Sequence, residues 1–272
     1  MTALDGADAP FVIRSGKFHI YVTNSPSEIQ DAQRLRYDVF YTELGAKASQ
    51  SQEKARDVNS FDRFCEHLIV KDVETQRVVG TYRLLRRDGA QRHGSYYTET
   101  EFDISKLKAT KGEILELSRA CVGNGYRTQS AMQLLLRGLA EYILHYNITY
   151  LFGLGSFHGT DPKPFEHALS YLYHHRLVDK SHRPVVLPEH FESLNRLPKE
   201  QVDEKLAFQQ MPPLLRGYIR LGGGIGDGIF VDHGFNTTDV CVVVNSDYLT
   251  PRFANHYNTQ TEQERRFAVN AG

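Results

Sequence analysis

The sequence contains no tryptophan, only three cysteines and no surplus of either charge: 32 Lys and Arg stand against 33 Asp and Glu, a formal net charge of −1 over 272 residues. Near-neutrality excludes a global basic field able to hold nucleic acid or an anionic bilayer, so no nucleic-acid partner is expected. Cys65, Cys121 and Cys241 lie far apart with no CxxC pair and no cysteine–histidine cluster. That spacing excludes a disulfide framework and a zinc site, and no metal is expected. No apolar run reaches the length of a membrane-spanning helix. The first ten residues, Met1 to Pro10, are polar and acidic and lack the basic flank and apolar stretch of a secretory signal. A cytoplasmic location follows.

What is present is globular: 40% hydrophobic and 24% charged residues, enough to build a sizeable core. Residues 1–16 read as a flexible arm, 17–257 as one folded domain and 258–272 as a loose tail. Lys17 to Thr23 alternates polar and apolar side chains, the period of a half-buried strand. Ser25-Pro26-Ser27-Glu28 opens a helix running to about Tyr41. His67–Val73 and Val78–Leu85 read as a hairpin, and Ile114–Val122 as the next strand. A helix over about Ser130–Tyr146 has one narrow polar stripe (Gln129, Gln133, Arg137, Glu141, His145) and is apolar elsewhere, so it packs on a sheet along most of its surface. Tyr150–Leu154 reads as a buried strand, Phe165–Leu177 as a helix, 187–212 as a polar insertion with at least one helical turn, and 217–245 as two strands. This order predicts an α+β, α/β/α sandwich: a mixed, mainly antiparallel sheet with one splayed parallel pair between Ile114–Val122 and the Tyr150 strand.

Glu116-Leu117-Ser118-Arg119 places two charges inside an apolar strand, where charge is costly unless paired or functional. Glu116 is the candidate general base, acting directly or through water, since an amine nucleophile arrives protonated at neutral pH. Arg36, Asp57, Asp62, His67 and Arg83, with Ser118 and Arg119, offer the mixed charges that a zwitterionic, cationic substrate needs. The turn Gly123-Asn124-Gly125-Tyr126-Arg127 enters a helix N-terminus and could receive a phosphate beside Arg127. Gly155 and Ser156, in what reads as a loop after the Tyr150 strand, leave room for a thioester arm. A backbone amide near Cys121 or Val122 is the candidate oxyanion donor. The Ser156/His158 pair does not form G-x-S-x-G, and the run 221–228 lacks the strand–turn–helix context of a dinucleotide loop. Arg83, Arg86, Arg87 and Arg92 suggest a basic patch for an acidic partner.

Seven segments together resemble one family, the ornithine acyl-ACP N-acyltransferases that begin ornithine-lipid synthesis. They are RLRYDVFYTELG (34–45), FDRFCEHLIV (61–70), VVGTYRLL (78–85), ELSRACV (116–122), LFGLGSFHGTDP (151–162), MPPLLRGYIRLGG (211–223) and FNTTDVCVVV (235–244). Acyl-homoserine-lactone synthases are more distantly similar, over Arg36, Phe40, Asp62, Arg83, Glu116 and Arg119. The resemblance implies a GNAT-like fold and the transfer of a 3-hydroxyacyl group from acyl carrier protein to the α-amine of L-ornithine. It implies Glu116 as base, with Arg36, Asp57, Asp62, Arg83 and Arg119 shaping a polar pocket. No bound cofactor is implied; the phosphopantetheine arm of the carrier protein brings the acyl group as a co-substrate. The product is amphiphilic, which is compatible with a peripheral contact at the inner membrane.

Three rivals to this reading have specific signatures. A lactone synthase would need an S-adenosylmethionine site, and such enzymes usually carry a tryptophan after the first helix; this chain has none. A ping-pong route through Cys121 would need a base partner in its apolar run. A non-catalytic acyl-carrier or lipid-binding module gives no reason to keep Glu116 and Arg119 inside a strand.

Overall fold

The computed structural model of the chain describes residues 10–47, 55–127 and 129–248. Eleven strands and seven α-helices are formed among them. In chain order the first half runs β1 (Val12–Ser15), β2 (Phe18–Thr23), α1 (Pro26–Tyr37), β3 (Glu66–Asp72), β4 (Arg77–Arg86), α2 (Arg87–His93), β5 (Phe102–Asp103), α3 (Ser105–Lys108) and β6 (Glu113–Val122). The second half runs α4 (Gln129–His145), β7 (Ile148–His158), α5 (Glu166–Arg176), β8 (Val185–Val186), α6 (Glu204–Gln210), α7 (Pro213–Arg220), β9 (Gly224–Ile225), β10 (Phe230–Asp232) and β11 (Thr237–Asn245).

The main sheet is ordered β1-β2-β3-β4-β6-β7-β11-β10, with β9 also on β11. Every neighbouring pair is antiparallel except β6–β7, the expected parallel pair, which α4 connects. Both faces are covered. Leu68 and Val70 of β3 share a buried cluster with Leu135, Leu139 and Tyr142 of α4, while Ile69 packs on the other face with Ala32 of α1. This is the period-two alternation of a strand buried on both sides. Gln133, Glu141 and His145 of the α4 stripe are exposed as expected. Gly138 lets α4 settle onto the sheet, since a Cβ there would stand 2.7 Å from Ile20 Cγ2.

Four boundaries differ from the sequence expectation. Residues 12–15 are not part of a loose arm; they form β1, whose alternation was too short to register, and pair with Phe18–Tyr21. Helix α1 leaves α geometry at Tyr37 and continues as a π turn over Asp38–Glu43. The segment 153–158 is strand rather than loop, because β11 pairs with β7 along its whole length, Thr237–Asn245 against Tyr150–His158. Gly217 lies in α7, an amphipathic turn pair that buries Leu215, Tyr218 and Ile219. The expected tail 258–272 and part of the loop before Asp57 lie outside the described residues. Among the described residues, no helix is long and apolar enough to cross a membrane.

Candidate active site

The parallel ladder between β6 and β7 ends at Glu116 and Phe152. Beyond it β6 bulges: Thr81 of β4 pairs with Cys121 and Arg83 with Ser118, so Tyr82 alone faces both Arg119 and Ala120. Arg119 takes φ +56°, a left-handed conformation rare for a side chain of this size and characteristic of functional bulges. Gly153 holds the strands together at the last point of contact, because a Cβ there would sit 2.2 Å from the Leu117 carbonyl oxygen. Past that point they part around a cavity walled by residues 117–120 of β6 and 151–156 of β7. Leu151, Leu215, Tyr218, Val242 and Val244 give one apolar part of the wall. Phe40, presented by the π turn, and Phe235 close another side.

Of the predicted substrate residues, Ser118 and Arg119 reach this cavity. The others form a buried charge network behind it. Arg36 Nε lies 2.9 Å from Asp57 Oδ2, and its Nη2 2.9 Å from Asp62 Oδ1. Arg83 Nη1 lies 3.4 Å from the same Asp62 oxygen and its Nε donates to Ser118 Oγ at 2.9 Å. Burial alone would raise the Asp62 pKa, but the Arg36 and Arg83 guanidinium groups hold it below its ordinary value. Asp57 Oδ2 also meets Arg119 Nε at 3.2 Å, so the network fixes the arginine that faces the cavity. Tyr97 and Phe235 stack on its guanidinium at 4.7 and 4.5 Å. His67 is wholly buried, and burial followed by the Arg36 charge lowers its pKa to about 4. Its Nε2 is 3.1 Å from the Asp62 carbonyl oxygen, an acceptor only, so Nε2 carries the proton and the ring acts as a neutral strut.

Glu116 does not line the cavity. Its two oxygens accept the backbone N–H groups of Tyr97 and Thr98 at 3.0 and 2.6 Å. Burial raises its pKa, and those hydrogen bonds oppose the shift. Between Glu116 and the cavity stand Tyr97 and Thr98, both of which line it.

The expected acyl-arm residues divide. Gly155 and Ser156 are on the wall, on β7. Cys121 and Val122 are buried behind it, and burial pushes the Cys121 thiol up to about 12, so no thiolate forms near neutral pH. Arg127 is tied to the Val122 carbonyl oxygen at 3.0 Å and to Glu43, which closes the glycine turn on itself. The basic patch is also reduced. Arg83 is 1% exposed, and Arg87 spends its guanidinium on the carbonyl oxygens of Lys108, Thr110 and Gly112.

Three carboxylates that sequence reasoning passed over meet on the cavity wall. One oxygen each from Glu101, Asp232 and Asp239 lies within 4.8 Å of the other two. Glu101 and Asp239 are both 3% exposed, and Glu101 Oε2 and Asp239 Oδ1 have no hydrogen-bond partner among the described residues. Burial, then the mutual negative charge of Asp239 and Asp232, raises the Glu101 pKa. Burial and the Asp232 charge raise that of Asp239, against the Ser156 and Thr237 hydroxyls. Asp239 stands at the head of the apolar run 240–244, directly after three polar residues, and nothing in that position marks it; Glu101 and Asp232 come from separate, unremarkable segments.

Comparison with known proteins adds the following. Residues 35–137 match the model of an acetyltransferase (GNAT) domain. The chain is 35% identical over 264 residues to the L-ornithine N(alpha)-acyltransferase of Brucella abortus (strain 2308), covering 94% of each chain. It is 38% identical over 244 residues to the enzyme of the same name from Rhizobium meliloti (strain 1021), covering 87% of this chain and 82% of that one. Among solved structures, a crystal structure of the AHL synthase LasI aligns at 15% identity with a TM-score of 0.45, over 86% of this chain and 89% of that one.

Proposed function

The chain belongs to the L-ornithine N(alpha)-acyltransferases, acyltransferases of the GNAT fold, and from that premise we propose that it moves a 3-hydroxy fatty acyl group from acyl carrier protein to the α-amine of L-ornithine. The observation that carries the reading is the cavity between the parted strands, which combines an apolar wall, an arginine and a carboxylate cluster. An acyl chain fits the apolar part bounded by Leu151, Leu215 and Val244. Arg119, fixed from behind by Asp57, is placed to fork onto the amino-acid carboxylate.

The α-amine adds to the thioester carbonyl carbon, the C–S bond breaks, and the carrier leaves as a thiol once it has taken a proton. The amine's own proton passes to Glu116 by way of a water beside Thr98; burial keeps Glu116 a stronger base than a surface carboxylate. The oxyanion is assigned to the bulge at Arg119 and Ala120, where a bulge leaves a backbone group outside the ladder, rather than to Cys121 or Val122. Cys121 takes no part, so no acyl-enzyme forms. The fatty chain and the pantetheine arm of the donor thread between β6 and β7 together. The product carries a fatty chain that must enter a bilayer, which keeps a peripheral membrane contact within the reading.

The test is direct. Purified protein is incubated with 3-hydroxyacyl-carrier protein, the unsubstituted acyl-carrier protein or the matching coenzyme A thioesters, and a panel of amino acids. N-acylornithine, identified by mass with release of one thiol per product, is expected fastest from the 3-hydroxyacyl-carrier protein. Equal turnover with coenzyme A thioesters would remove the carrier protein from the reading, and no acylornithine from any donor would remove the function.

A further inference from the structure

We infer that Glu101, Asp232 and Asp239 form the binding site for the side-chain ammonium of the acceptor, so that this trio, rather than the arginine network, selects a dibasic amino acid. The inference rests on the acceptor reading above and goes beyond it by assigning the residues that distinguish ornithine from a neutral amino acid.

The trio is out of balance by itself. Buried charge elsewhere near the cavity is paired: Asp57 has Arg36 and Arg119, and Asp62 has Arg36 and Arg83. Glu101 and Asp239 are as deeply buried, yet each keeps one oxygen without a hydrogen-bond partner, and both residues line the cavity. A buried carboxylate in that condition is costly unless a cation completes it. An ammonium suits the spacing. It donates three hydrogen bonds, and charge-assisted N–H···O contacts of about 2.7–2.9 Å place its acceptors roughly 4.5 Å apart, within the 4.8 Å limit that the three oxygens satisfy. A divalent ion suits the surroundings less well: it asks for about six to eight oxygens, and the cluster brings together one oxygen from each of three carboxylates. For an amino acid Arg119 is an asset, because it answers the α-carboxylate while the trio answers the far amine. Two ends of one short, doubly charged molecule are thus read by two opposite charges on one wall.

The experiment compares kcat/KM for L-ornithine with that for L-norvaline, the same carbon chain without the terminal amine, in wild type and in the Glu101→Gln, Asp232→Asn and Asp239→Asn variants. Folding is checked by circular dichroism. Wild type should prefer ornithine by at least about 100-fold, since a site built to bond an amine rejects the analogue lacking it. Each variant should reduce that preference by at least about 10-fold. In wild type, propylamine should compete with ornithine while propanol does not, a result that needs no variant to fold. Ornithine acylation with an unchanged preference in folded variants overturns the assignment and leaves the function standing. So does an equal loss on both acceptors, which would place the trio in proton transfer, or activity removed by EDTA and restored by Mg²⁺ or Mn²⁺. Failure of wild type to acylate ornithine would instead overturn the acceptor reading itself.

Discussion

The arginine network behind the cavity and the carboxylate trio on its wall lie at similar depth and solve opposite problems. Asp57 and Asp62 each touch two guanidinium groups, so both carboxylates are charge-paired before any ligand arrives and the network serves position: it holds Arg119 at the bulge. Glu101, Asp232 and Asp239 instead gather with one oxygen each within 4.8 Å of the others, and their mutual repulsion is relieved by protons or by a cation. Glu116 belongs with the first group although it is a lone carboxylate, because two backbone N–H groups satisfy it. Burial by itself therefore does not separate scaffold from site; whether a buried carboxylate has a cation or donors to answer its charge does.

The comparison can be broken most strongly at Asp57. Asp57→Ala strips Arg36 and Arg119 of their shared carboxylate and should cost about 3–5 kcal/mol in urea denaturation, the cost of opening a buried pair. A loss under 1 kcal/mol would mean that the network is not the scaffold described. One substitution made at two sites then sharpens the contrast. Glu116→Gln leaves a backbone N–H facing an amide and should cost about 1–3 kcal/mol, besides slowing turnover about 100-fold or more as a lost base. Glu101→Gln removes a buried carboxyl whose pKa is pushed up to about 10 in the folded chain, so that folding at pH 8 no longer has to take up a proton there, and it should stabilise the free protein by at least about 1 kcal/mol at pH 8, one pKa unit being worth 1.36 kcal/mol. The same sign of change at both sites would erase the distinction.

Proton linkage gives a gentler test. The trio's carboxyls have raised pKa values in the folded chain, so above the ordinary carboxylate range the folded state binds more protons than the unfolded one. Stability contributed this way is lost as pH rises through neutrality. Facing the trio are Arg119, Glu116 and the Ser156 and Thr237 hydroxyls, with His158 on the same cavity wall. The melting temperature of the free protein should therefore decline from pH 5 to 9, less steeply in Asp239→Asn, and the increment added by ornithine should grow over the same range. An ornithine increment that shrinks with pH would contradict the trio's role. The smallest effect belongs to Cys121→Ala. A buried thiol pushed up to about 12 has no part in transfer, so turnover should stay within about threefold, whereas complete loss in a folded variant would restore the acyl-enzyme route.

Local chemistry made much of this legible. The α4 stripe, the β3–β4 hairpin and the ELSR strand carry their periods openly, and the expected parallel pair between β6 and β7 is there. Arg119 is identifiable as a charge in an apolar strand, and it does reach the cavity. Arg36, Asp57, Asp62 and Arg83 lie behind the cavity and pair with one another. Sequence shows that such residues need partners, but not that they have found them in each other. Conversely, Glu101 and Asp232 lie in segments with no periodic pattern, 131 positions apart, and nothing local marks them as neighbours.

The principal strands and helices, the helices on both faces of the sheet and the family are legible along the chain, because these depend on side-chain periods of two and 3.6 and on motifs that persist along it. Which carboxylates are answered and which are left waiting is settled in three dimensions. That depends on the bulge at Arg119, the parting of β6 from β7 past Gly153, and the pairing of β11 that carries Asp239 to the wall beside Glu101. Electrostatic balance is a property of distances within a few ångströms, and sequence separation does not encode them.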